Sequence, residues 1–284
     1  MERVIRIKKG KYTVRNDADE ERECFAKGSL KIKSDGILTG DFVKTENDVI
    51  VGVLPRKNRL ERPFVANVDA VAIVVAAPPS PDFYLLDKLL ASCFLSGVEA
   101  VIVVNKTDLS DENLKKITEQ YSAVAKIFRL SALTGDGTKE FAEFLKGKTV
   151  VFTGQSAVGK TTLMNMLSGI YYPDEGHHKT GDVSEKTQRG RQTTTSATIV
   201  KEGDVEVIDT PGFTAFDLSI KHTDLAKGYA DFIKYEKSCR FSDCSHLGEP
   251  DCGVKEAVDG GEINKSRYER YAEIYKELKD GKKY

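Results

Sequence analysis

The chain has 284 residues, 40% hydrophobic and 31% charged, with 43 Lys and Arg against 44 Asp and Glu. That length suits about two domains and that balance is ordinary, so whole-chain disorder is excluded and a globally basic, nucleic-acid-coating protein is not implied. The longest apolar run, Ala70 to Ala77, is far too short for a bilayer span, and MERVIRIKKGK at the start has no apolar signal core, so a cytoplasmic chain with no membrane segment is expected.

Charge is nevertheless uneven, because residues 1–64 carry 15 basic and 11 acidic side chains. Within this segment, Arg3 to Leu54 shows short apolar runs separated by turn signals at KKGK, SDG, TGD and END, the pattern of a small all-β barrel for which five strands fit. A first domain over residues 1–61 is expected. Pro55 to Phe64, with four basic residues between two prolines, reads as a linker. Continuous apolar runs of parallel-strand type follow at Ala70–Ala77, Ala100–Val104, Lys126–Leu130, Thr149–Thr153 and Val205–Ile208, several of them separated by helix-length segments. This predicts a doubly wound α/β sheet over residues 62–220. Beyond about residue 220 the strands stop, Thr223 precedes a helical stretch and Ser266 to Glu269 reads as a capping box. Tyr268, Tyr271, Tyr275 and Leu278 share one face of that last helix and are expected in the core of a helical segment, residues 221–284.

Gly154-Gln155-Ser156-Ala157-Val158-Gly159-Lys160-Thr161 follows the strand TVVFT and opens a helix at Thr161-Thr162, the context a phosphate-binding P-loop requires. Backbone N–H groups of the loop would wrap a β-phosphate, Lys160 would neutralise charge on the β and γ oxygens, and the Thr161 hydroxyl would bind Mg²⁺. Asp209-Thr-Pro-Gly212 closes the strand VEVI, where a carboxylate serves the magnesium side of such a site. Between them lies a polar stretch suited to a switch; one of Thr193, Thr194 and Thr195, with Thr194 preferred, would supply a second hydroxyl to Mg²⁺.

Asn105-Lys106-Thr107-Asp108 closes the strand AVIVV and Ser131-Ala132 closes KIFRL, both at C-terminal strand ends where open α/β sheets bind ligands. The Asp108 carboxylate can accept hydrogen bonds from the two adjacent donors of guanine, whereas adenine would leave it unsatisfied. Together these motifs indicate a GTPase. Their order is shifted, because NKTD and SAL precede the P-loop instead of following DTPG; a cyclic shift of strands preserves the site and leads DTPG directly into the C-terminal segment.

Cys239, Cys244, His246 and Cys252 supply three thiols and an imidazole within 14 residues, the right count for a closed, structural zinc site. His177, His178 and His222 lack comparable partners and are expected in solvent, while Cys24 and Cys93 read as buried apolar residues.

The set NKTD, SAL, P-loop, RGRxTTT, DTPGF and C-x₄-C-x-H-x₅-C, with RPxxANVD at Arg62 to Asp69, resembles one family, the circularly permuted ribosome small-subunit-dependent GTPase A (RsgA) group. The resemblance implies an N-terminal OB-fold barrel, a central circularly permuted P-loop GTPase and a C-terminal helical zinc-binding domain. It also implies a role in late maturation of the small (30S) ribosomal subunit, with GTP hydrolysed to GDP and phosphate under stimulation by that subunit. In the family a histidine in RGRHTTT is a candidate to orient the attacking water; here Gln192 stands in its place and could orient water through its amide without acting as a base. Phe213 follows DTPG where many GTPases place a glutamine, and Ala157 stands where the family usually has glycine.

On this reading the barrel binds rRNA mainly through backbone charge, with Lys8, Lys9, Lys11, Lys31, Lys33, Arg56, Lys57, Arg59 and Arg62 as candidates and Tyr12, Phe25 and Phe42 as the few aromatics. Two alternatives compete: a GTPase switch read by a protein effector, and an ATP-dependent kinase in which Asp108 is incidental. Nothing in the sequence requires more than a monomer.

Overall fold

The computed structural model describes residues 1–31, 36–61, 63–167, 197–209 and 220–281. Seven short strands come first, β1 (Glu2–Lys8), β2 (Lys11–Arg15), β3 (Glu21–Ala26), β4 (Phe42–Glu46), β5 (Val49–Val53), β6 (Arg59–Glu61) and β7 (Phe64–Ala66), with one helical turn, α1 (Gly28–Lys31), after β3. Next are β8 (Ala70–Ala76), α2 (Phe83–Leu95), β9 (Glu99–Asn105), α3 (Glu112–Tyr121), β10 (Lys126–Arg129), α4 (Thr138–Leu145), β11 (Thr149–Thr153) and α5 (Lys160–Leu167). The hairpin β12 (Thr198–Glu202) and β13 (Val205–Asp209) precedes a 3-10 helix (His222–Gly228), α6 (Ile233–Glu236), α7 (Gly253–Asp259) and α8 (Lys265–Asp280). No helix among the described residues is long and apolar enough to cross a membrane.

The chain divides into two compact units. In the first, β1 pairs antiparallel with β2 and β4, β2 with β3, and β4 with β5, while β3 runs parallel to β5. The five strands therefore close on themselves, the OB-type barrel. Alternation puts Val4, Val14, Cys24, Val43 and Ile50 inside, so Cys24 is a core residue. The same unit holds β11 parallel to β13, and β12 antiparallel to both β13 and β1. A polar cluster joins these strands: Arg3 donates to Thr149 Oγ1 at 2.8 Å and to the Asn67 carbonyl at 3.0 Å, and both Arg3 and Arg15 bind the Glu206 carboxylate.

Two local expectations change here. Pro55 to Phe64 is not a bare linker, since Arg59–Glu61 pairs antiparallel with Phe64–Ala66. Side-chain amides fix the hairpin's base: Asn58 bonds both backbone groups of Val68 at 2.7 and 2.9 Å, or N–H and C=O as in a strand partner, and Asn67 Oδ1 accepts from Lys57 N at 2.8 Å. The strand β12 is absent from the apolar-run reading because its outer face is wet; the signal was the alternation on either side of Gly203-Asp204, with Gly203 at φ +60°.

In the second unit β8, β9 and β10 are parallel, and every residue of β8 is buried, as continuous apolar runs demand. Asp82 caps α2, its side chain accepting from Leu85 N at 2.9 Å. The cap of α8 is Asn264, which accepts from Ser266 N and Arg267 N, and not Ser266; the turn begins two residues earlier because Asn264 is the extended residue. Tyr271 and Ile274 are buried with Leu225, Tyr229 and Phe232, and Tyr268, Tyr275 and Leu278 pack around them. His222 is half-buried against the Tyr275 ring, centroids 5.2 Å apart, so it is not simply solvated.

A charge network crosses this unit. Arg267, 3% exposed, donates from Nε to Asp87 at 3.1 Å and from Nη1 to Asp231 at 2.6 Å. Arg270 also binds Asp87 and donates from Nη2 to Gln120 Oε1 at 2.8 Å and the Tyr121 hydroxyl at 3.1 Å. A buried carboxylate such as Asp87 requires that pairing.

Candidate functional site

Three loops of the second unit leave C-terminal strand ends and lock together. β9 ends at Asn105, whose Nδ2 donates to the Val158 carbonyl at 2.8 Å. A Cβ at Gly159, φ +94°, would collide with that amide, and one at Gly154, φ +129°, would collide with the Val74 carbonyl, so both glycines are dictated by close approach as well as backbone angle. Lys106, itself at φ +63°, donates from Nζ to the Ala157 carbonyl at 2.7 Å and the Pro78 carbonyl at 3.0 Å. Gln155 Oε1 accepts from the backbone N–H of Asp82 at 3.0 Å.

NKTD and the glycine-rich loop thus touch before any ligand is considered. Val158 is buried as the loop's anchor, while Ser156 and Ala157 are exposed, and Ala157 adopts φ +63° without being glycine. Thr107 is buried with its N–H on the Leu130 carbonyl at 3.3 Å, Ser131 is buried beside Leu130, and Asp108 is exposed at the tip. The Thr107 and Thr153 hydroxyls have no hydrogen-bond partner among the described residues.

In the first unit, Lys160 and Thr161 open α5, followed by half-buried Thr162, and Asp209 ends β13; Ala132 is buried. Burial lowers the Lys160 ammonium pKa and raises that of the Asp209 carboxyl. Burial thus disfavours both charged forms, a cost that an anionic phosphate beside Lys160 and a divalent cation beside Asp209 would offset. Gln192, Thr193, Thr194, Thr195 and Gly212 lie outside the described residues, as do His177, His178 and Phe213.

Cys239, Cys244, His246 and Cys252 converge, with ligand atoms all within 4.8 Å of one another. Cys239 Sγ lies 3.9 Å from Cys252 Sγ, and His246 Nδ1 lies 3.5 Å from both. Zinc bonds of about 2.3 Å to sulfur and about 2.0 Å to nitrogen place tetrahedral donors about 3.5–3.8 Å apart, so the donor set fits a closed zinc site. His246 can turn its ring inward because its backbone takes φ +60°, and Glu249 fixes that loop by accepting from Ser245 N at 2.9 Å, Ser245 Oγ at 2.6 Å, and Leu247 N and Gly248 N at 3.1 Å. Burial opposes the Glu249 charge, but these bonds prevail and hold its pKa down at about 2. The residue was invisible as a functional element in sequence because it binds backbone, not metal. Tyr268 and Tyr271 of α8 donate to the carbonyls of His246 and Ser245, both at 2.7 Å. Cys93 is buried and its thiol is pushed up to about 12 by burial, so it is inert.

Residues 53–219 match the family model described as RsgA GTPase. A protein of Ruminiclostridium cellulolyticum named small ribosomal subunit biogenesis GTPase RsgA is 40% identical over 284 aligned positions, covering 95% of this chain and 91% of that protein. A protein of the same name from Thermotoga petrophila is 41% identical, covering 97% and 95%. Among solved structures, YjeQ from Thermotoga maritima superposes with a TM-score of 0.81 at 36% identity, covering 98% of this chain and 99% of that one. YloQ, described as a circularly permuted GTPase, gives 0.78 at 28% identity, covering 100% and 96%.

Proposed function

The chain belongs to the RsgA GTPase family, and from that premise we propose that it binds the small ribosomal subunit through rRNA and assists its late maturation, with GTP hydrolysis to GDP and phosphate stimulated by the subunit. The observation that carries the reading is the interlock of NKTD with the glycine-rich loop, joined to near full-length similarity to relatives named for that task. In this assignment Asp108 selects guanine, with Asn105, Lys106, Thr107, Ser131 and Ala132 framing the base, and the backbone from Gly154 to Thr162 wraps the phosphates. Lys160 offsets charge on the β and γ oxygens as it develops. Mg²⁺ would be held by Thr161, Thr194 and Asp209 and would neutralise phosphate charge. Gln192 orients the attacking water, and Gly212 lets the backbone turn beside the γ-phosphate. Zinc on Cys239, Cys244, His246 and Cys252 is structural, since four protein donors leave no open position. The domains run 1–61, 62–220 and 221–284, and the chain acts as a cytoplasmic monomer.

Ion pairing sorts the barrel's basic residues. Arg56 is held by Asp41, Lys57 by Asp69, Arg59 by Glu61 and Lys11 by Glu23, whereas Lys8 and Lys9 make no ion pair among the described residues. Tyr12 is buried, Phe42 lies under the Arg3 guanidinium at 5.1 Å, and Phe25 is 51% exposed. Phosphate charge near Lys8 and Lys9, with Phe25 as the stacking ring, is the RNA contact this supports. Lys33 and Arg62 lie outside the described residues, and the side chain of Lys31 is undescribed.

GTP turnover measured alone, with purified small subunits and with large subunits as control tests the reading. Stimulation by small subunits only is expected; equal turnover in all three, with normal GTP binding, would overturn the ribosomal assignment in favour of a switch read by a protein effector.

A further inference from the structure

Arg270 is far in sequence from every nucleotide motif, yet it reaches both helices that flank β8 and β9. On α2 it binds Asp87 and places its guanidinium 5.4 Å from the centroid of Phe83; on α3 it holds Gln120 and Tyr121. Phe83 and Tyr121 are themselves stacked, with centroids 6.3 Å apart and planes 6° from parallel, and the Tyr121 hydroxyl donates to the Phe83 carbonyl at 3.4 Å. One side chain thereby fixes the start of α2 against the end of α3.

The start of α2 is where the site's loops are held. Asp82, adjacent to Phe83, donates its backbone N–H to Gln155 of the glycine-rich loop, and Pro78 of the same connection accepts from Lys106 of NKTD. At the other end of α3 from Tyr121, Asn113 in its first turn donates from Nδ2 to the Ala76 carbonyl at 3.3 Å, where the connection leaves β8. A shift of α2 along its axis would pull on the Asp82 bond at its cap and, through the four-residue lead from Pro78, on the Lys106 bond.

We propose that Arg270 is a positioning residue for guanine-nucleotide binding, acting through Phe83 and Asp87 on the Pro78–Asp82 connection that holds Gln155 and Lys106. The proposal rests on the nucleotide-site reading above. It also ties α8, which carries the two tyrosines bonded to the zinc loop, to the nucleotide loops through that connection.

The test is equilibrium binding of a fluorescent GDP analogue to the full-length zinc-loaded chain, its Arg270→Met and Arg270→Lys variants, Gln155→Ala, and the double variant Arg270→Met with Gln155→Ala. Arg270→Met is expected to weaken binding about tenfold, within the usual range of such couplings, at unchanged zinc content and circular dichroism. In the double variant the losses should multiply less than fully, because Gln155→Ala already removes one of the two bonds through which Arg270 acts. Arg270→Lys keeps a charge for Asp87 but loses the planar fork, so it should retain part of the affinity, and it carries the test if the methionine variant does not fold. Parent-like affinity in a folded Arg270 variant, or losses that multiply fully with Gln155→Ala, overturns the proposal. Absence of GDP binding by the parent chain would instead overturn the nucleotide-site reading, so the two failures are distinct.

Discussion

The ammonium of Lys106 lies 2.7 Å from the carbonyl of Ala157, joining the guanine-reading loop to the phosphate loop by a charge-assisted hydrogen bond. Lys106→Met removes this bond and the one to Pro78. A loss of about 1.5–3 kcal/mol, or about tenfold to a hundredfold in GDP affinity, is expected by isothermal titration. Ala157 sits at φ +63°, where a Cβ is strained, so Ala157→Gly should raise unfolding stability by about 0.5–1 kcal/mol and Ala157→Val should lower it by at least as much. Equal stability of all three would show that the loop relaxes freely.

Asp108 is exposed at the tip of the NKTD loop, open to a base edge. Asp108→Asn replaces one acceptor oxygen by a donor, mismatching the two donors of guanine but suiting a base with a carbonyl there. GTP affinity should fall by about a hundredfold or more while xanthosine triphosphate gains, measured by competition. Undiminished GTP binding would remove Asp108 from the site.

The four zinc donors lie in the loop between α6 and α7, and Tyr268 and Tyr271 tie α8 to that loop. One zinc per chain is expected by elemental analysis. Cys252→Ser or exhaustive chelation should melt this segment first, read as loss of amide protection over residues 239–275 with the barrel still protected. Retention of that protection without metal would make zinc dispensable to the fold.

Glu249 offers a pH signature. Its folded pKa of about 2 lies below the ordinary carboxyl value of 4.5, so its contribution is fully present above 4.5 and is lost as pH falls toward 2. Glu249→Gln should therefore be less stable than the parent at pH 7, with the difference shrinking below pH 4.5; carboxyl carbon shifts should show the group still ionised at pH 4. Titration near 4.5 would dismiss the loop-fixing role.

Glu206 accepts from both Arg3 and Arg15 where the barrel meets β11 and β13. Glu206→Gln should cost about 2–3 kcal/mol in denaturant unfolding, since two guanidiniums lose a charged partner. A cost below about 0.5 kcal/mol would mark the cluster as a solvated pair.

The motifs were legible because each is local: a P-loop, an NKTD strand end and a cysteine-histidine knot are defined by residue type over a few positions, and parallel buried strands such as β8 announce themselves as unbroken apolar runs. The five-stranded barrel was legible from run lengths and turn residues, though its closure through β1 and β4 was not. What only the tertiary structure decided are relationships between residues far apart in sequence. Asn105 against Val158, Gln155 against Asp82, Asp87 between Arg267 and Arg270, and the hairpin from Arg59 to Ala66 all depend on which polar groups the fold leaves in need of a partner. Residue type states what a side chain can bind; folding alone sets which donor or acceptor is buried within reach, and an unpaired buried polar group costs too much to leave that choice open.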